Sequence, residues 1–387
     1  MASDHTSIQR PTEAIIDLDA LSFNFHSSRM FIGEGIKYMA VVKADGYGHG
    51  AVPCARRLES EGIDWFGVAI PEEGVELRNA GITVPILCLG SFWKGQEALL
   101  VNHGLTTVVF DLGSAAALDD YARRSARNVD IHVKIDTGMH RVGIDHTAAA
   151  DFAAELKRFD RLRVSGLMTH FASAESAAEK DFTLLQIRRF NAACDAFRAA
   201  GHEPECIDMA NSPGAIMHPE SRGNMVRLGG ALYGLTDDII DPDVPQPQLK
   251  PVLSLRSRIA HLRHLPAGET LGYGRTFTTT RDSIIALLPM GYADGYPRGL
   301  SNRALAWLNG QLVPVSGRIS MDWILLDVTD VSDVAVGDEV YLIGGHTATA
   351  IRAADLARAV DTIGYEITCG ISPRVPRIFV GTPAPLS

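Results

Sequence analysis

A lysine at the end of an apolar run is the first residue whose position points to chemistry. Lys43 ends the run Ile36–Lys43 and is followed by the glycine-rich segment Ala44–Gly50. If the run is a buried strand, the loss of water favours the neutral amine, which can attack a carbonyl carbon and form a Schiff base. The alternative is a lysine that buries its alkyl stem and extends its ammonium into water. Position alone leaves both interpretations open.

Further polar residues and glycines follow later apolar runs. Lysine, histidine, arginine and serine supply bases, donors and positive charge, and paired glycines let backbone N–H groups approach a ligand. The candidates are Lys134 and Arg141 at and after the run 129–136, His170 after 162–169, Asn211 and Ser212 after 206–210, and Arg227, Gly229 and Gly230 at and after 225–228.

The apolar runs alternate with amphipathic segments between residues 36 and 234. Each run is short and rich in Val, Ile, Leu or Met, which is typical of strands buried on both faces. Eight such strands in a β-then-α rhythm predict a closed (β/α)₈ barrel rather than an open doubly wound sheet. The predicted strands are Ile36–Lys43, Asp64–Ile70, Val84–Leu89, Thr106–Phe110, Val129–Asp136, Leu162–Thr169, Cys206–Ala210 and Met225–Leu228, and the predicted helices include Leu18–Phe31, Ala51–Glu61, Ser114–Arg127, Ala148–Phe159 and Glu179–Ala200.

A barrel brings the carboxyl ends of its strands to one face, and the loops after the seventh and eighth strands commonly bind phosphate. Ser212, Gly229 and Gly230 occupy those loops. A Schiff-base lysine opposite a phosphate site indicates pyridoxal 5′-phosphate. Taken singly, the two glycines could serve close packing and His170 could be a hydrogen-bonded core residue, so the prediction depends on their coincidence at one face.

The pattern of apolar runs and amphipathic segments ends near residue 237. Residues 237–251 contain Pro242, Pro245, Pro247 and Pro251, which predict an extended linker. Shorter alternating runs follow, with an Asn309-Gly310 hairpin signal, a helical pattern over Ile351–Ile363 and a last strand over Arg377–Val380. We therefore expect a barrel domain over residues 1–240 and a smaller, mainly β domain over residues 241–387.

Composition argues against several classes of partner and site. The 36 basic and 46 acidic residues give a net charge of −10, which argues against nucleic-acid binding and against an anionic membrane surface as a partner. The five cysteines are scattered without a C-x-x-C pair, so neither a disulfide framework nor a metal site is expected. The N-terminal residues lack the profile of a signal peptide, which predicts a cytoplasmic protein.

Nine segments resemble motifs of the alanine racemases, in the same order along the whole chain. They are AVVKADGYGHG (40–50), KIDTGMHRVG (134–143), LMTHFA (167–172), MANSPG (209–214), VRLGGALYG (226–234), LGYGRTF (271–277), MGYADGYPR (290–298), GRISMDW (317–323) and GYEITCGISPRVPR (364–377). The resemblance implies a pyridoxal-phosphate barrel with a β domain, which interconverts L- and D-alanine and supplies D-alanine for peptidoglycan synthesis.

The resemblance implies two opposed bases. Lys43 would hold the cofactor and act on one face of the substrate, and Tyr273 from the second domain would act on the other face. His170 and Arg227 match the positions that support this tyrosine. Arg227 also matches the residue at the pyridine nitrogen, where an arginine donates a hydrogen bond and does not give up its proton.

The remaining roles also follow from the resemblance. Phosphate-binding positions are matched by Tyr47, Ser212, Gly229, Gly230 and Tyr365, with Asn211 beside them in the cofactor site. Arg141, Met321, Tyr292 and Asp322 match substrate-binding positions, and Lys134 matches a lysine that is often carbamylated. In the family, Tyr273, Tyr292, Met321 and Asp322 reach the site from a partner subunit, which implies a homodimer with active sites at the interface.

Three alternatives remain at the level of sequence. A racemase of broader specificity would accept serine, since an added hydroxyl is hard to exclude. A decarboxylase of similar architecture would carry a carboxylate at the pyridine nitrogen and a Cys-Asp pair from the partner, and Arg227 and the Tyr273 loop argue against it. A cofactor-binding carrier protein would resemble the barrel alone and would lack the second domain.

Overall fold

The computed structural model describes residues 10–237, 239–241, 243–346 and 349–382. The described chain forms two compact units, one of residues 20–250 and one in which residues 10–19 join residues 251–382. It begins with strand β1 (Glu13–Asp17) and helix α1 (Leu18–Ile32). Strand β1 was not predicted, although its alternate residues Ala14 and Ile16 are fully buried as in a half-buried strand.

The unit of residues 20–250 is a closed parallel barrel. Its eight strands pair in the cyclic order β2-β3-β4-β5-β6-β8-β9-β10, and β10 pairs with β2 in parallel to complete the ring. This confirms the predicted (β/α)₈ barrel. The strands are β2 Lys37–Val41, β3 Trp65–Val68, β4 Ile86–Cys88, β5 Thr106–Val109, β6 Val129–Asp136, β8 Leu162–Met168, β9 Cys206–Asp208 and β10 Met225–Leu228, and the short β7 Ile144–Asp145 pairs with β6.

Helices and short helical turns connect the barrel strands. Several begin with the expected signals: Asp111 caps one helix by accepting from the Ser114 N–H at 2.7 Å, and Pro71 opens another. The segments are α2 Lys43–Tyr47, α3 Ala51–Ser60, α4 Pro71–Asn79, α5 Glu97–Asn102, α6 Leu112–Arg124, α7 Ala149–Leu156, α8 Lys180–Ala199, α9 Ser212–Met217 and α10 Gly230–Tyr233. Predicted and observed bounds differ by a few residues where ends fray.

The predicted linker packs against the barrel rather than standing free. Asn24 of α1 donates to the carbonyl oxygens of Leu232 and Lys250 at 2.9 and 2.7 Å, and it accepts from the Lys250 N–H at 2.7 Å. Ile240 is buried against an apolar cluster on the same unit. Asp238 and Pro242 of this segment lie outside the described residues.

The second unit is mainly β, as predicted. A six-stranded sheet has the order β17-β16-β19-β11-β1-β20, a three-stranded sheet has the order β12-β15-β18, and β13 pairs with β14. Asn309 and Gly310 both have positive φ, as a type I′ hairpin requires. The elements are β11 Leu253–Arg258, β12 His261–Leu265, β13 Thr270–Leu271, β14 Phe277–Thr278, β15 Ser283–Leu288, β16 Leu305–Leu308, β17 Gln311–Pro314, β18 Ile324–Asp327, β19 Glu339–Ile343, α11 Ala353–Ala359, α12 Gly364–Cys369 and β20 Arg377–Val380.

The first strand belongs to this second unit. Strand β1 pairs antiparallel with β11 and parallel with β20, so the units do not follow the chain in simple succession. The division into functional domains at residues 1–240 and 241–387 stays a prediction. In the structure, residues 10–19 belong to the β unit. Among the described residues, no helix combines the length and the hydropathy that a bilayer span requires.

A histidine in the barrel interior links pH to stability. His132 on β6 is fully buried, and neither ring nitrogen has a hydrogen-bond partner among the described residues. The ring fits because the facing residue is Gly166, where an added Cβ would lie 2.5 Å from it. Burial lowers the pKa of His132 to about 3, because the charged imidazolium loses its hydration.

We predict that His132→Phe makes the protein less sensitive to acid. The unfolded histidine takes up a proton below about pH 6.5 and the folded one only near pH 3, so stability is lost as pH falls through this window, by about 1.4 kcal/mol per pH unit. Phenylalanine has a similar ring and no titrating nitrogen. Denaturant titrations at pH 7 and pH 4.5 should show a smaller acid loss for the variant.

The exposed His264 on β12 supplies the matched control, His264→Gln. This control should lose as much stability between the two pH values as the wild type. An equal acid loss in His132→Phe would show that His132 does not contribute to the pH dependence.

Candidate functional site

The segment after Lys43 adopts a rare backbone conformation. Ala44, Asp45, Gly46 and Tyr47 all have positive φ, between 52° and 62°. Left-handed backbone costs about 1–2 kcal/mol for each residue other than glycine, so the turn persists only because its surroundings hold it. The strained turn begins directly at the lysine that sequence analysis singled out.

Two carboxylates hold this turn. Glu73 of α4 accepts the Ala44 N–H at 2.7 Å through one oxygen and the Ala69 N–H at 2.7 Å through the other. Asp45 accepts the N–H of Ala51, at the start of α3, at 2.7 Å. Hydrogen bonds from backbone N–H groups to ionised carboxylates are stronger than neutral ones, which offsets part of the strain.

A polar corner forms where the turn meets the loops after β9 and β10. The Ser212 Oγ accepts the N–H of Gly229 at 3.0 Å, which leaves the hydroxyl proton for another acceptor. At Gly229 an added Cβ would lie 2.7 Å from the Tyr47 Oη, so only glycine leaves room for this tyrosine. Asn211 caps α9 by accepting the Gly214 N–H at 3.0 Å. The predicted phosphate-binding residues of the barrel therefore do come together, with Gly230 next in the loop.

Arg227 is the centre of a buried hydrogen-bond network. One terminal nitrogen, Nη1, pairs with Asp208, and the other, Nη2, donates to the carbonyl oxygens of Thr169 and Met209 at 3.2 and 3.3 Å. Nη2 also lies 3.1 Å from the Nδ1 of His170. Since a guanidinium only donates, Nδ1 accepts and the neutral His170 ring carries its proton on Nε2. The Nε–H of Arg227 has no partner among the described residues and is available to a ligand.

Burial and positive charge favour the neutral forms of the neighbouring bases. Burial, reinforced by Arg227, lowers the pKa of Lys134 well below its ordinary value, and the same two causes lower the pKa of His170. The Lys134 Nζ donates to the Thr169 carbonyl oxygen at 3.1 Å. The charge of Lys43 also lowers the pKa of His170, so the two side chains share one electrostatic environment.

Arg141 faces a small pocket beside these groups. The loop that carries Arg141 is held by Asp136, which accepts the N–H groups of Gly138 and His140 at 2.9 and 3.1 Å. The pocket is lined by Lys134, Ile135, Asp136, Met139, Arg141, Val142 and His170. The structure thus gathers the predicted barrel residues at the carboxyl ends of β2, β6, β8, β9 and β10.

In the β unit, three predicted residues lie on adjacent loops and are exposed. Tyr273, Met321 and Tyr292 are 71%, 53% and 42% exposed, and Trp323 nearby is 43% exposed. The loops contact each other, since the N–H of Tyr292 donates to the Ser320 carbonyl oxygen at 3.0 Å. We call Tyr273, Tyr292, Met321 and Trp323 the aromatic face. Tyr365 lies in the same unit, half-buried on α12.

A buried aspartate supports the loops of the aromatic face. Asp294 is fully buried, accepts the Gly291 N–H at 2.9 Å and binds Arg10 through both carboxylate oxygens. The guanidinium of Arg374 lies 3.3 Å from the Asp294 carboxylate and 2.8 Å from the Asp322 carboxylate, so it links the two aspartates. The side chain of Asp322 is therefore held in place beside Met321.

Sequence analysis missed Asp208, Glu73 and Asp294. The available signals were an aspartate inside a buried strand, a glutamate three residues into a helix that opens after a strand, and an aspartate in a glycine-flanked turn. None of these signals specifies the distant partner that makes the residue important.

Comparisons with known proteins identify the family to which both units of the chain belong. Family models of the N-terminal and C-terminal domains of alanine racemase match residues 16–237 and 252–379. An alanine racemase of Symbiobacterium thermophilum is 44% identical over 376 residues, which cover 97% of this chain and 98% of that protein. The solved alanine racemase of Clostridium difficile 630 has a TM-score of 0.91 at 36% identity and covers 96% of each chain. The Bartonella henselae alanine racemase, solved with covalently bound pyridoxal phosphate, has a TM-score of 0.84 at 28% identity and covers 96% of this chain and 99% of that chain.

Fold and site together define a class of enzymes in which a (β/α)₈ barrel with a lysine after its first strand is joined to a mainly β unit. The chain belongs to the alanine racemase family, whose activity is the isomerisation of an amino acid. The resemblance seen in the sequence motifs is confirmed.

We predict that Gly229→Ala destabilises the protein through Tyr47. The new methyl group would lie 2.7 Å from the Tyr47 Oη, and overpacking of this kind typically costs about 1–3 kcal/mol. The double variant Gly229→Ala, Tyr47→Phe lacks the clashing oxygen and should recover most of that stability in denaturant titrations. Equal destabilisation of the single and double variants would contradict the prediction.

Proposed function

We propose that this protein interconverts L-alanine and D-alanine with pyridoxal 5′-phosphate as cofactor and Lys43 and Tyr273 as opposed bases. The observation that carries the proposal is the convergence of Lys43, the Ser212–Gly229 corner and the Arg227 network at one barrel face. Family membership supports cytoplasmic production of D-alanine for peptidoglycan synthesis as the role.

The residues present fit this cofactor at both of its ends. The Ser212 hydroxyl proton, the Tyr47 hydroxyl and the glycine backbone at 229–230 offer donors to a phosphate, and Gly229 leaves the space that a side chain would fill. The Nε–H of Arg227 offers a donor to the ring nitrogen and no proton to transfer. In the β unit, Tyr365 is the further phosphate ligand that we propose.

Bound pyridoxal phosphate supplies an electron sink for the electrons left when the substrate loses its α-proton. Lys43 would bind the cofactor and act on one face of the substrate: in one direction its neutral amine would take the α-proton, and the phenol of Tyr273 would return a proton on the other face. In the reverse direction the Tyr273 phenolate would take the proton and the Lys43 ammonium would return one, so each turnover inverts the carbon. We assign the Nε2–H of His170 to this tyrosine oxygen, because the bond from Arg227 leaves only Nε2 to donate.

Substrate binding uses positive charge and a backbone donor. Arg141 lines the pocket and offers its guanidinium to the substrate carboxylate. The Met321 N–H has no hydrogen-bond partner among the described residues and is proposed to donate to the same carboxylate, with Tyr292 and Asp322 beside it. Lys134 remains a candidate for carbamylation, because its lowered pKa favours the neutral amine that reacts with carbon dioxide.

The aromatic face supports a homodimer. Large apolar side chains that are exposed together on neighbouring loops commonly mark an interface. We propose that a second copy of the chain covers this face, so that Tyr273, Tyr292, Met321 and Asp322 of one subunit complete the barrel site of the other.

We predict that Lys43→Ala abolishes racemisation and covalent retention of the cofactor. The wild type, loaded with pyridoxal phosphate and reduced with borohydride, should carry a stable adduct on Lys43 that mass spectrometry of its peptides detects. It should also form D-alanine from L-alanine, as followed with a D-amino-acid oxidase. Lys94→Ala changes an exposed lysine on another loop of the barrel and is the control. An adduct on a different lysine, or an active Lys43→Ala variant, would refute the assignment.

We predict that Trp323→Glu converts the dimer to a monomer. Burial of a new carboxylate in an apolar interface without a partner is unfavourable. Light scattering coupled to gel filtration should report the mass, and activity should fall with the dimer fraction. Val336→Glu alters a 60% exposed residue on another loop and should remain dimeric. A monomeric wild type, or a dimeric Trp323→Glu variant, would argue against this face as the interface.

A further inference from the structure

One ion pair of the described residues is buried on both sides. The side chain of Asp208 on β9 is 0% exposed and that of Arg227 on β10 is 3% exposed. In every other described ion pair, at least one of the two side chains is more exposed than this. Burying two charges is expensive unless the geometry of the pair is good, and removing one partner leaves the other uncompensated. The burial of the Asp208 carboxylate therefore requires an explanation, which the exposed carboxylates of surface pairs such as Asp130–Arg163 do not.

Asp208 determines how the guanidinium of Arg227 is held. Nη2 donates to three acceptors, which are the Thr169 and Met209 carbonyl oxygens and the His170 Nδ1. Among the described residues, only Asp208 binds Nη1. With both terminal nitrogens bound, the planar guanidinium is held in one orientation, and its Nε–H is the group without a partner among the described residues.

Asp208 is also the compensating charge of this region. Burial raises the pKa of its carboxyl, and the charge of Arg227 opposes that rise, so the ionised form depends on this guanidinium. One oxygen of Asp208, Oδ2, has no hydrogen-bond partner among the described residues, so the carboxylate acts on Arg227 through Oδ1 alone.

We propose that Asp208 is a positioning residue of the racemase site: it fixes the guanidinium of Arg227 and offsets its charge, so that the Nε–H of Arg227 is held where it can donate a hydrogen bond to the cofactor's ring nitrogen. The inference rests on the proposed function, since it assumes that pyridoxal phosphate binds at the barrel mouth. It adds to that function a residue that acts through Arg227 and touches neither cofactor nor substrate.

The test compares Asp208→Asn with Asp130→Asn, which removes the carboxylate of an exposed arginine pair on the same barrel. Apo-protein is titrated with pyridoxal phosphate by absorbance, and the ring nitrogen of ¹⁵N-labelled cofactor is observed by NMR. Asp208→Asn should bind about tenfold more weakly or worse, as for other residues that orient a ligating group. Its ¹⁵N resonance should move towards the position of a ring nitrogen that accepts no hydrogen bond, because the Arg227 donor is no longer held in place, while Asp130→Asn should match the wild type.

The same measurements in an Arg227→Gln background show whether Asp208 acts through Arg227. Asp208→Asn should then cause no further ¹⁵N shift. A wild-type resonance in Asp208→Asn, or an equal shift in both backgrounds, would overturn the proposal.

Asp208→Ser is smaller and serves if the asparagine variant does not fold. Misfolding of both variants, with a folded Asp130→Asn, would assign Asp208 to the structural core and overturn its positioning role. Failure of the wild type to bind the cofactor would instead overturn the proposed function, so the two failures are distinguishable.

Discussion

The site depends on a permanently charged guanidinium placed inside a barrel. Arg227 cannot be neutralised by losing its proton, so each neighbour must accept from it or offset its charge. Asp208 offsets the charge, and two carbonyl oxygens and His170 accept from the guanidinium. Burial lowers the pKa values of Lys134 and His170, and the positive charge of Arg227 adds to this effect. The tautomer of His170 is a direct consequence of this arrangement.

A second constraint acts through the backbone. Closure of the barrel brings the ends of distant strands to one face, and the left-handed turn after Lys43 adds strain at the point where the lysine leaves β2. Glu73 and Asp45 hold the turn by accepting backbone N–H groups. The β unit uses the same strategy, with Asp294 fixing the loop of Tyr292. In both units, carboxylates that accept backbone N–H groups hold the loops that carry the candidate catalytic and binding residues.

Sequence analysis predicted the barrel, the mainly β unit and the barrel residues of the site. These predictions need only the local pattern of buried strands, their order along the chain, and the rule that a barrel carries its functional residues at the carboxyl ends of its strands. It did not predict β1, whose partners β11 and β20 lie more than two hundred residues away. It also missed Asp208, since an aspartate in a buried strand becomes interpretable only when its partner Arg227 is located. Both of these features depend on contacts between residues far apart in the chain, and a single sequence does not show which distant residues are in contact.

The central claim, that two opposed bases invert the substrate carbon, is tested most directly by isotope exchange. The wild-type holoenzyme is incubated with L-alanine in heavy water, and D-alanine and α-deuterium are followed together. The account predicts deuterium-labelled D-alanine, and none from Tyr273→Phe. Deuterium incorporation without inversion in the wild type, or inversion that survives Tyr273→Phe, would contradict it.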